Sequence, residues 1–442
     1  MRKNDVENLV VENYGCNGEG VAKADGKVVF IPYTIKGERV ETLIIGDKKS
    51  YYVGKAKSIL ESSDLRVEPK CPYFTKCGGC QLQHIKYDET LSIKTEMVQN
   101  ALDRIGKIGK GVQFCKPSNL VYGYRNKLAL PFDYGTRKVG IYAPHSHRII
   151  QIDDCPIQQN WCKKLIEITN EFVNKFQLTI YNEETKTGLL KHLVARAYNN
   201  ALLVTLVING DELPNYEDYF AYLLSDFENV GLSININKLN NNVILTENFV
   251  HLCGLEKIDI CENGIKYSIN NASFMQVNNY IKNEIYAQIL EEINNYDVVV
   301  DAYSGAGLLT AMISKKAKRV YGIEIVKEAV NSSNELLKEN NILNVTNICG
   351  DSSKEVNNLS KEISLTNSCI VLDPPRKGCD KELLEKLCEV EPAKIIYLSC
   401  NPSTLARDLN ILSSKFSVDY AKPFDMFPQT KHVETLVCLK KK

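Results

Sequence analysis

The 442-residue sequence contains no apolar run of eighteen residues; one of the longest, Ala201–Ile208, is eight residues long and includes Thr205. A membrane-spanning helix needs about 20 consecutive apolar residues, so none is expected. A secretory leader is missing too: Met1-Arg2-Lys3-Asn4-Asp5 runs into mixed polar sequence, which predicts a cytoplasmic protein. Net charge is absent, 54 Lys and Arg balancing 54 Asp and Glu, which by itself speaks against a nucleic-acid partner. What is present is ordinary for a folded chain: 44% hydrophobic and 24% charged residues exclude a mainly disordered protein. The length predicts two to three domains.

The zero net charge hides an uneven distribution. Residues 70–150 carry 13 Lys and Arg against 5 Asp and Glu, a local excess of +8 that the remainder cancels. Such a block is either a footprint for nucleic-acid phosphates or a solvated basic face. The 15 cysteines are an odd number with no signal peptide expected, which argues against a disulfide scaffold; in a reducing compartment, clustered thiols more often bind metal.

Three regions differ in pattern. Residues 1–60 hold short apolar runs (Leu9–Val11, Val28–Tyr33, Val40–Ile45, Tyr51–Ala56) separated by Gly-containing turns, which predicts four or five strands in an oligonucleotide-binding type of β-barrel, with a purely structural barrel as the competing reading. Residues 61–260 hold the dense cysteines and the basic excess, and predict a mixed α+β unit. Residues 261–442 become regular. Short buried-strand candidates at Val298–Val300, Val320–Ile325, Cys369–Leu372 and Ile395–Leu398 alternate with helical stretches, one of them marked by Ile285, Ile289 and Ile293. That alternation predicts an α/β, doubly wound Rossmann-like sheet, whose ligands bind at the carboxyl ends of the strands.

The unusual residues fall at those ends. Asp301-Ala302-Tyr303-Ser304-Gly305-Ala306-Gly307 follows the first strand, and its two glycines allow a tight turn and a close backbone approach to a ligand. No third glycine follows in dinucleotide spacing. Glu324, about seventeen residues beyond Gly307, closes the next strand, where a carboxylate can accept both ribose hydroxyls; the pair points to S-adenosylmethionine. Asp373-Pro374-Pro375-Arg376 follows the third strand. Enzymes that methylate exocyclic amines carry an aromatic residue where Arg376 stands, so an amine target is disfavoured.

Cys400, in Ser399-Cys400-Asn401-Pro402, follows the fourth strand. A thiolate is a strong nucleophile even when only a few per cent of the thiol is ionised at pH 7. Carbon 5 of uracil is a poor nucleophile until a thiolate adds at carbon 6; a base must afterwards remove the carbon-5 proton. Near the C-terminus, Phe424-Asp425-Met426-Phe427-Pro428-Gln429-Thr430-Lys431-His432-Val433-Glu434 supplies Glu434 as that base. An inert core cysteine and a surface carboxylate are the plainer readings of each residue alone.

Taken together, Ser273-Phe274-Met275-Gln276-Val277-Asn278, Asp301–Gly307, Asp373–Gly378, Ser399–Leu409 and Phe424–Glu434 resemble the RNA uracil-5-methyltransferase family nearly end to end. The resemblance implies Cys400 as nucleophile and Glu434 as base. It also implies that Gln276, Tyr303, Gly305, Glu324 and Asp373 contact S-adenosylmethionine or the target base. Many members carry Phe-Cys-Gly where this chain has Tyr303-Ser304-Gly305.

Cys71, Cys77, Cys80 and Cys155 resemble that family's four-cysteine [4Fe–4S] site, with tetrahedral zinc as the competing ligand. Residues 1–60 resemble its TRAM domain, and Tyr122, Tyr124 or Phe132 are candidates for stacking on a splayed base. The resemblance implies 23S ribosomal RNA as the partner, with transfer RNA as the alternative substrate and neither DNA nor membrane involved. A non-catalytic iron–sulfur RNA-binding protein is the reading from another class.

Overall fold

The computed structural model describes the whole chain except Met1, His145, Phe274 and Asn295. Phe274, part of the segment quoted above, therefore lies outside the described residues.

The N-terminal strands β1 (Val6–Val10), β2 (Asn13–Tyr14), β3 (Gly20–Ala24), β4 (Lys27–Ile31), β5 (Arg39–Asp47) and β6 (Tyr51–Glu61) form one sheet in the order β1-β5-β6-β4-β3-β2. There are six strands where the sequence predicts four or five, and the ladder order leaves β1 and β2 as its edges. Alternation of buried Val40, Thr42 and Ile44 along β5 gives the sheet one inner face, closed over Leu9, Val29, Ile31 and Tyr52. Three register shifts between β5 and β6 coil the sheet, and Glu12 N–H reaches Val21 O, folding the β1 edge towards β3.

A second sheet has the order β13-β12-β11-β10-β7, built from β7 (Lys127–Pro131), β10 (Leu190–Tyr198), β11 (Ala201–Ile208), β12 (Asn229–Ile236) and β13 (Phe249–Gly254). Two hairpins, β8 (Gly140–Tyr142) with β9 (Ile149–Gln151) and β14 (Ile258–Glu262) with β15 (Ile265–Ile269), flank it. The helices α2 (Trp161–Lys175) and α3 (Tyr216–Leu224) pack against one face, where Phe172 stacks on Tyr219. The apolar run Ala201–Ile208 is β11, buried on both faces: Leu202, Val204 and Leu206 meet the helices, while Leu203 packs with Ile258 and Ile260.

The C-terminal sheet contains β16 (Val298–Asp301), β17 (Arg319–Glu324), β18 (Val345–Cys349), β19 (Cys369–Leu372), β20 (Lys394–Ser399), β21 (Phe416–Phe424) and β22 (Glu434–Lys441). Their order is β18-β17-β16-β19-β20-β22-β21, with only β22 running against the rest. The connecting helices are α4 (Asn279–Glu292), α5 (Leu308–Ile313), α6 (Lys327–Glu339), α7 (Ser352–Glu362), α8 (Lys381–Val390) and α9 (Pro402–Leu412). Every residue of β16, β19 and β20 is buried, because helices cover both faces. Strand order reverses between β16 and β19, which opens a crevice at their carboxyl ends. Helix α1 (Tyr87–Ala101) also belongs to this core: Leu91 and Val98, with Leu102 just beyond its end, pack with Leu405 and Leu409 of α9.

Candidate active site

Four neighbouring parallel strands each end in, or shortly before, a carboxylate: Asp301 closes β16, Glu324 closes β17, Asp351 lies two residues beyond β18 and Asp373 directly follows β19. Parallel register brings such ends together automatically. Glu324 is fixed from both sides, Oε2 accepting Gly305 N–H at 3.0 Å and Oε1 accepting Val326 N–H at 2.8 Å. Each oxygen keeps a lone pair for a further donor.

The two glycines of the turn differ. Gly305 adopts φ +52° and a side chain there would meet nothing within 4 Å, so its surface is open to a ligand. Gly307, at φ +84°, lies against α6, and a Cβ would stand 2.0 Å from Ser333 Oγ. Tyr303 is half-buried, its phenol turned towards Cys379 and its ring packed on the core. Asp301 accepts Thr310 Oγ1–H at 2.7 Å, and burial lifts its carboxyl to about 6.

Asp351 was not singled out by sequence. Its side chain caps α7 by accepting the N–H groups of Ser353 and Lys354. The signal was an acid two residues beyond a short strand, but β18 is too polar to read as one. An open glycine turn facing carboxylates suits a ligand that carries a ribose diol and positive charge, which is the chemistry of S-adenosylmethionine.

Cys400 follows β20 directly and stands half-buried before Asn401, which caps α9 through Ser403 N–H at 3.1 Å. Asn401 Nδ2 also donates to Arg376 O at 3.2 Å, tying the Asp373–Arg376 turn to the cysteine. Glu434 opens β22. Because β22 is antiparallel and pairs Thr435 with Ser399, its first residue falls at the same edge as Cys400.

The four side chains share one electrostatic neighbourhood. Burial raises the Cys400 thiol, the Glu434 carboxylate raises it further, and the Arg376 guanidinium opposes both. Burial holds Glu434, 5% exposed, far above the usual carboxylate range, with Asp373 adding to the rise and Arg376 again opposing it. Burial and the Asp301 charge push Asp373 up to about 7. His432, two residues before Glu434, is pushed down to about 4 by burial and by Arg376, Lys431, Lys94 and Arg125, so it is a neutral imidazole at neutral pH.

Gln276 joins this region through its backbone, its carbonyl accepting Asn126 Nδ2–H at 3.1 Å. Two residues on, Asn278 Nδ2 donates to Met426 O at 3.2 Å, fastening the Gln276 loop to the segment that leads to Glu434.

Cys71, Cys77, Cys80 and Cys155 are all free thiols and partly buried. They influence one another: Cys80, raised to about 12 mainly by burial, also feels Cys155, Cys77 and Cys71, and Cys155, raised to about 11, feels Cys77 and Cys71. Among the described residues, no group of three or more His, Cys, Asp or Glu is placed to hold a single metal ion.

A cleft of about 2120 Å³ lies between the N-terminal sheet, the cysteine-bearing turn and the second sheet, and Lys431 and His432 also line it. Phe30, Tyr51, Tyr134 and Tyr142 line it. Of the aromatics expected to stack on a base, Tyr124 is 2% exposed with its hydroxyl donating to Pro428 O, and Phe132 is 4% exposed. Tyr124 is a core residue, Phe132 packs in the core yet borders the cleft, and Tyr122 keeps an accessible ring, under Lys70 Nζ.

Comparison with known proteins agrees with this geometry. The family model described as tRNA (Uracil-5-)-methyltransferase matches residues 86–442. An uncharacterized RNA methyltransferase of Clostridium tetani is 39% identical over 447 residues, covering 99% of this chain and 97% of the relative. One from Halalkalibacterium halodurans is 37% identical over 453 residues, covering 100% and 98%. The crystal structure of Pyrococcus abyssi tRNA (uracil-54, C5)-methyltransferase with S-adenosyl-L-homocysteine superposes with a TM-score of 0.79 at 25% identity, covering 98% of this chain and 100% of that one. No helix among the described residues is long and apolar enough to cross a membrane. The chain belongs to the tRNA (uracil-5-)-methyltransferase family of S-adenosylmethionine-dependent RNA methyltransferases.

Proposed function

We propose that the protein methylates carbon 5 of a uridine in 23S ribosomal RNA through a covalent bond between Cys400 and carbon 6 of the uracil ring. The observation that carries this reading is the grouping of Cys400, Glu434, Asp373 and Arg376 at one sheet edge, beside the Gly305–Glu324 turn. The Cys400 thiolate adds to carbon 6, and the electrons of the ring double bond move into an enolate. Carbon 5 then takes up a methyl group. S-adenosylmethionine, when bound, supplies that methyl as a sulfonium and leaves as S-adenosylhomocysteine.

Glu434 next removes the carbon-5 proton; the freed pair restores the double bond and expels the Cys400 thiolate. Arg376 favours the thiolate, its charge opposing the rise that burial and Glu434 impose on Cys400. Asp373, close to half-protonated at neutral pH, can donate to a uracil carbonyl, and Gln276 presents an amide to the same ring. Gly305, Tyr303 and Glu324 hold the cofactor, with Glu324 accepting the ribose hydroxyls.

Cys71, Cys77, Cys80 and Cys155 hold a [4Fe–4S] cluster in this reading. Four soft sulfur donors suit iron–sulfur ligation. Fifteen free cysteines fit a reducing cytoplasm. The aromatic-lined cleft that His432 borders is the path for the RNA strand, and the N-terminal sheet serves as a TRAM-like grip on it.

A second reading, transfer RNA as substrate, is supported by the likeness to the Pyrococcus abyssi tRNA enzyme, which extends through the N-terminal sheet. The deciding experiment incubates anaerobically purified enzyme and labelled S-adenosylmethionine with unmodified 23S and transfer RNAs, followed by nucleoside mass spectrometry. 5-Methyluridine confined to 23S RNA supports the first reading, and product in transfer RNA alone replaces it with the second. No product in either RNA refutes both.

A further inference from the structure

Glu434 is fixed on its C-terminal side by β22, but residues 425–433, which lead into it, leave the sheet between β21 and β22. This excursion is almost wholly buried and is gripped largely from the cysteine-bearing region. The Asp425 carboxylate sits 2.5 Å from Lys94 Nζ, both side chains fully buried, and accepts Tyr87 O–H at 2.8 Å. Lys94 Nζ also donates to Phe427 O at 3.1 Å.

Directly after Cys80, the N–H groups of Gln81 and Leu82 both donate to Gln429 O, at 3.2 and 3.0 Å. Gln81 Oε1 accepts Lys431 N–H at 3.2 Å. Gln429 adopts φ +69°, a left-handed conformation costly for a residue with a side chain, and it presents its carbonyl to those two donors.

We propose that Gln81, Tyr87 and Lys94 are positioning residues for Glu434: the cysteine-bearing turn and α1 hold the base in register, so that proton removal and release of Cys400 depend on them while the first addition does not. This rests on Glu434 being the base. The asymmetry follows from connectivity. Cys400 is set by β20 and α9, which are anchored in the sheet, whereas the approach to Glu434 is set by side chains and amides more than 300 residues away in sequence. A misplacement on the scale of 1 Å is enough to slow one step of a reaction about 100-fold.

The test uses full-length, anaerobically purified enzyme carrying Gln81→Met or Tyr87→Phe, beside Glu434→Gln, in single-turnover reactions with substrate RNA. Covalent protein–RNA adduct is read on denaturing gels and 5-methyluridine by mass spectrometry. Gln81→Met keeps side-chain length and loses the acceptor for Lys431; Tyr87→Phe loses only a hydroxyl and serves if the first variant does not fold. The expected result is adduct formation within about twofold of the parent and product release slowed about tenfold or more, so that adduct accumulates. Adduct formation and release slowed together, or neither slowed, overturns the positioning role. If Glu434→Gln accumulates adduct and the two variants do not, only the positioning role fails. If Glu434→Gln turns over normally, the base assignment fails and takes this proposal with it.

Discussion

Replacing Asp373 by Asn tests whether the site stores electrostatic strain. Asp373 is a largely buried carboxyl whose proton is held up to about 7 by burial and by the neighbouring Asp301 charge. In an unfolded chain the same group titrates near 3.9. Below about pH 4 it is protonated in both states and has no effect on stability relative to that baseline. Between about pH 4 and 7 only the folded state keeps the proton, so stability falls with rising pH by about 1.36 kcal/mol per pH unit.

The full gap of about three pH units is worth about 4 kcal/mol, lost by pH 8. Asn has the same shape and no charge, so Asp373→Asn escapes the loss. Between pH 5 and 8 the stability difference in favour of the variant is expected to widen by about 3 kcal/mol. For a cooperative unit of roughly 180 residues that is about 6–12 °C in Tm. Thermal melts of both ligand-free proteins at pH 5, 6, 7 and 8 read this directly. A Tm difference that stays constant with pH, or shifts in favour of Asp at pH 8, refutes the argument that Asp373 is held protonated by its surroundings.

Glu324→Ala removes the acceptor fixed between Gly305 and Val326 and is expected to weaken S-adenosylmethionine binding about tenfold or more in isothermal titration, while leaving the fold intact. Lys94→Met strands Asp425 as a buried, unpaired charge and is expected to cost about 3–5 kcal/mol in urea unfolding, most of it recovered in the double variant with Asp425→Leu. On the proposed mechanism, single-turnover methylation is expected to rise between pH 5.5 and 7, because burial raises both Cys400 and Glu434 and each acts only after losing its proton, while above pH 7 loss of the Asp373 proton opposes the rise; a falling profile between pH 5.5 and 7 contradicts the Cys400 and Glu434 assignments. On the proposed [4Fe–4S] reading, anaerobically purified protein is expected to contain iron and acid-labile sulfide, measured by elemental and colorimetric analysis, and Cys80→Ala to lose both; their absence from the parent protein refutes that reading.

Much of the C-terminal sheet was legible because its strands are short, apolar and buried on both faces. The expected segments Val298–Val300, Cys369–Leu372 and Ile395–Leu398 lie within β16, β19 and β20, and the Ile285/Ile289/Ile293 stripe marks the buried face of α4 and its cap. Strand β18 escaped notice because an edge strand of sequence Val-Thr-Asn-Ile-Cys is half polar, and Asp351 escaped with it. The stacking role suggested for Tyr124 failed for a related reason. An aromatic in a basic segment reads the same whether it faces solvent or core, and packing turned Tyr124 inward.

By itself, the sequence determined which residues stand at the carboxyl ends of the parallel strands. Asp301, Glu324, Asp373 and Cys400 each follow an apolar run directly, and parallel neighbours must bring such ends to one edge. Glu434 was readable as a residue but not as a neighbour. Its place beside Cys400 depends on β22 entering the sheet in reverse, so that the beginning of one strand meets the end of another at the Ser399–Thr435 pair. Tertiary structure alone also decided what surrounds it: the burial that raises its carboxyl, the Arg376 charge, and the hold of Gln81, Tyr87 and Lys94 on residues 425–431. Those contacts join positions hundreds of residues apart through single side chains and amides, which leave no periodicity or motif in the chain, and burial that shifts a proton is a property of everything packed around a group rather than of the group itself.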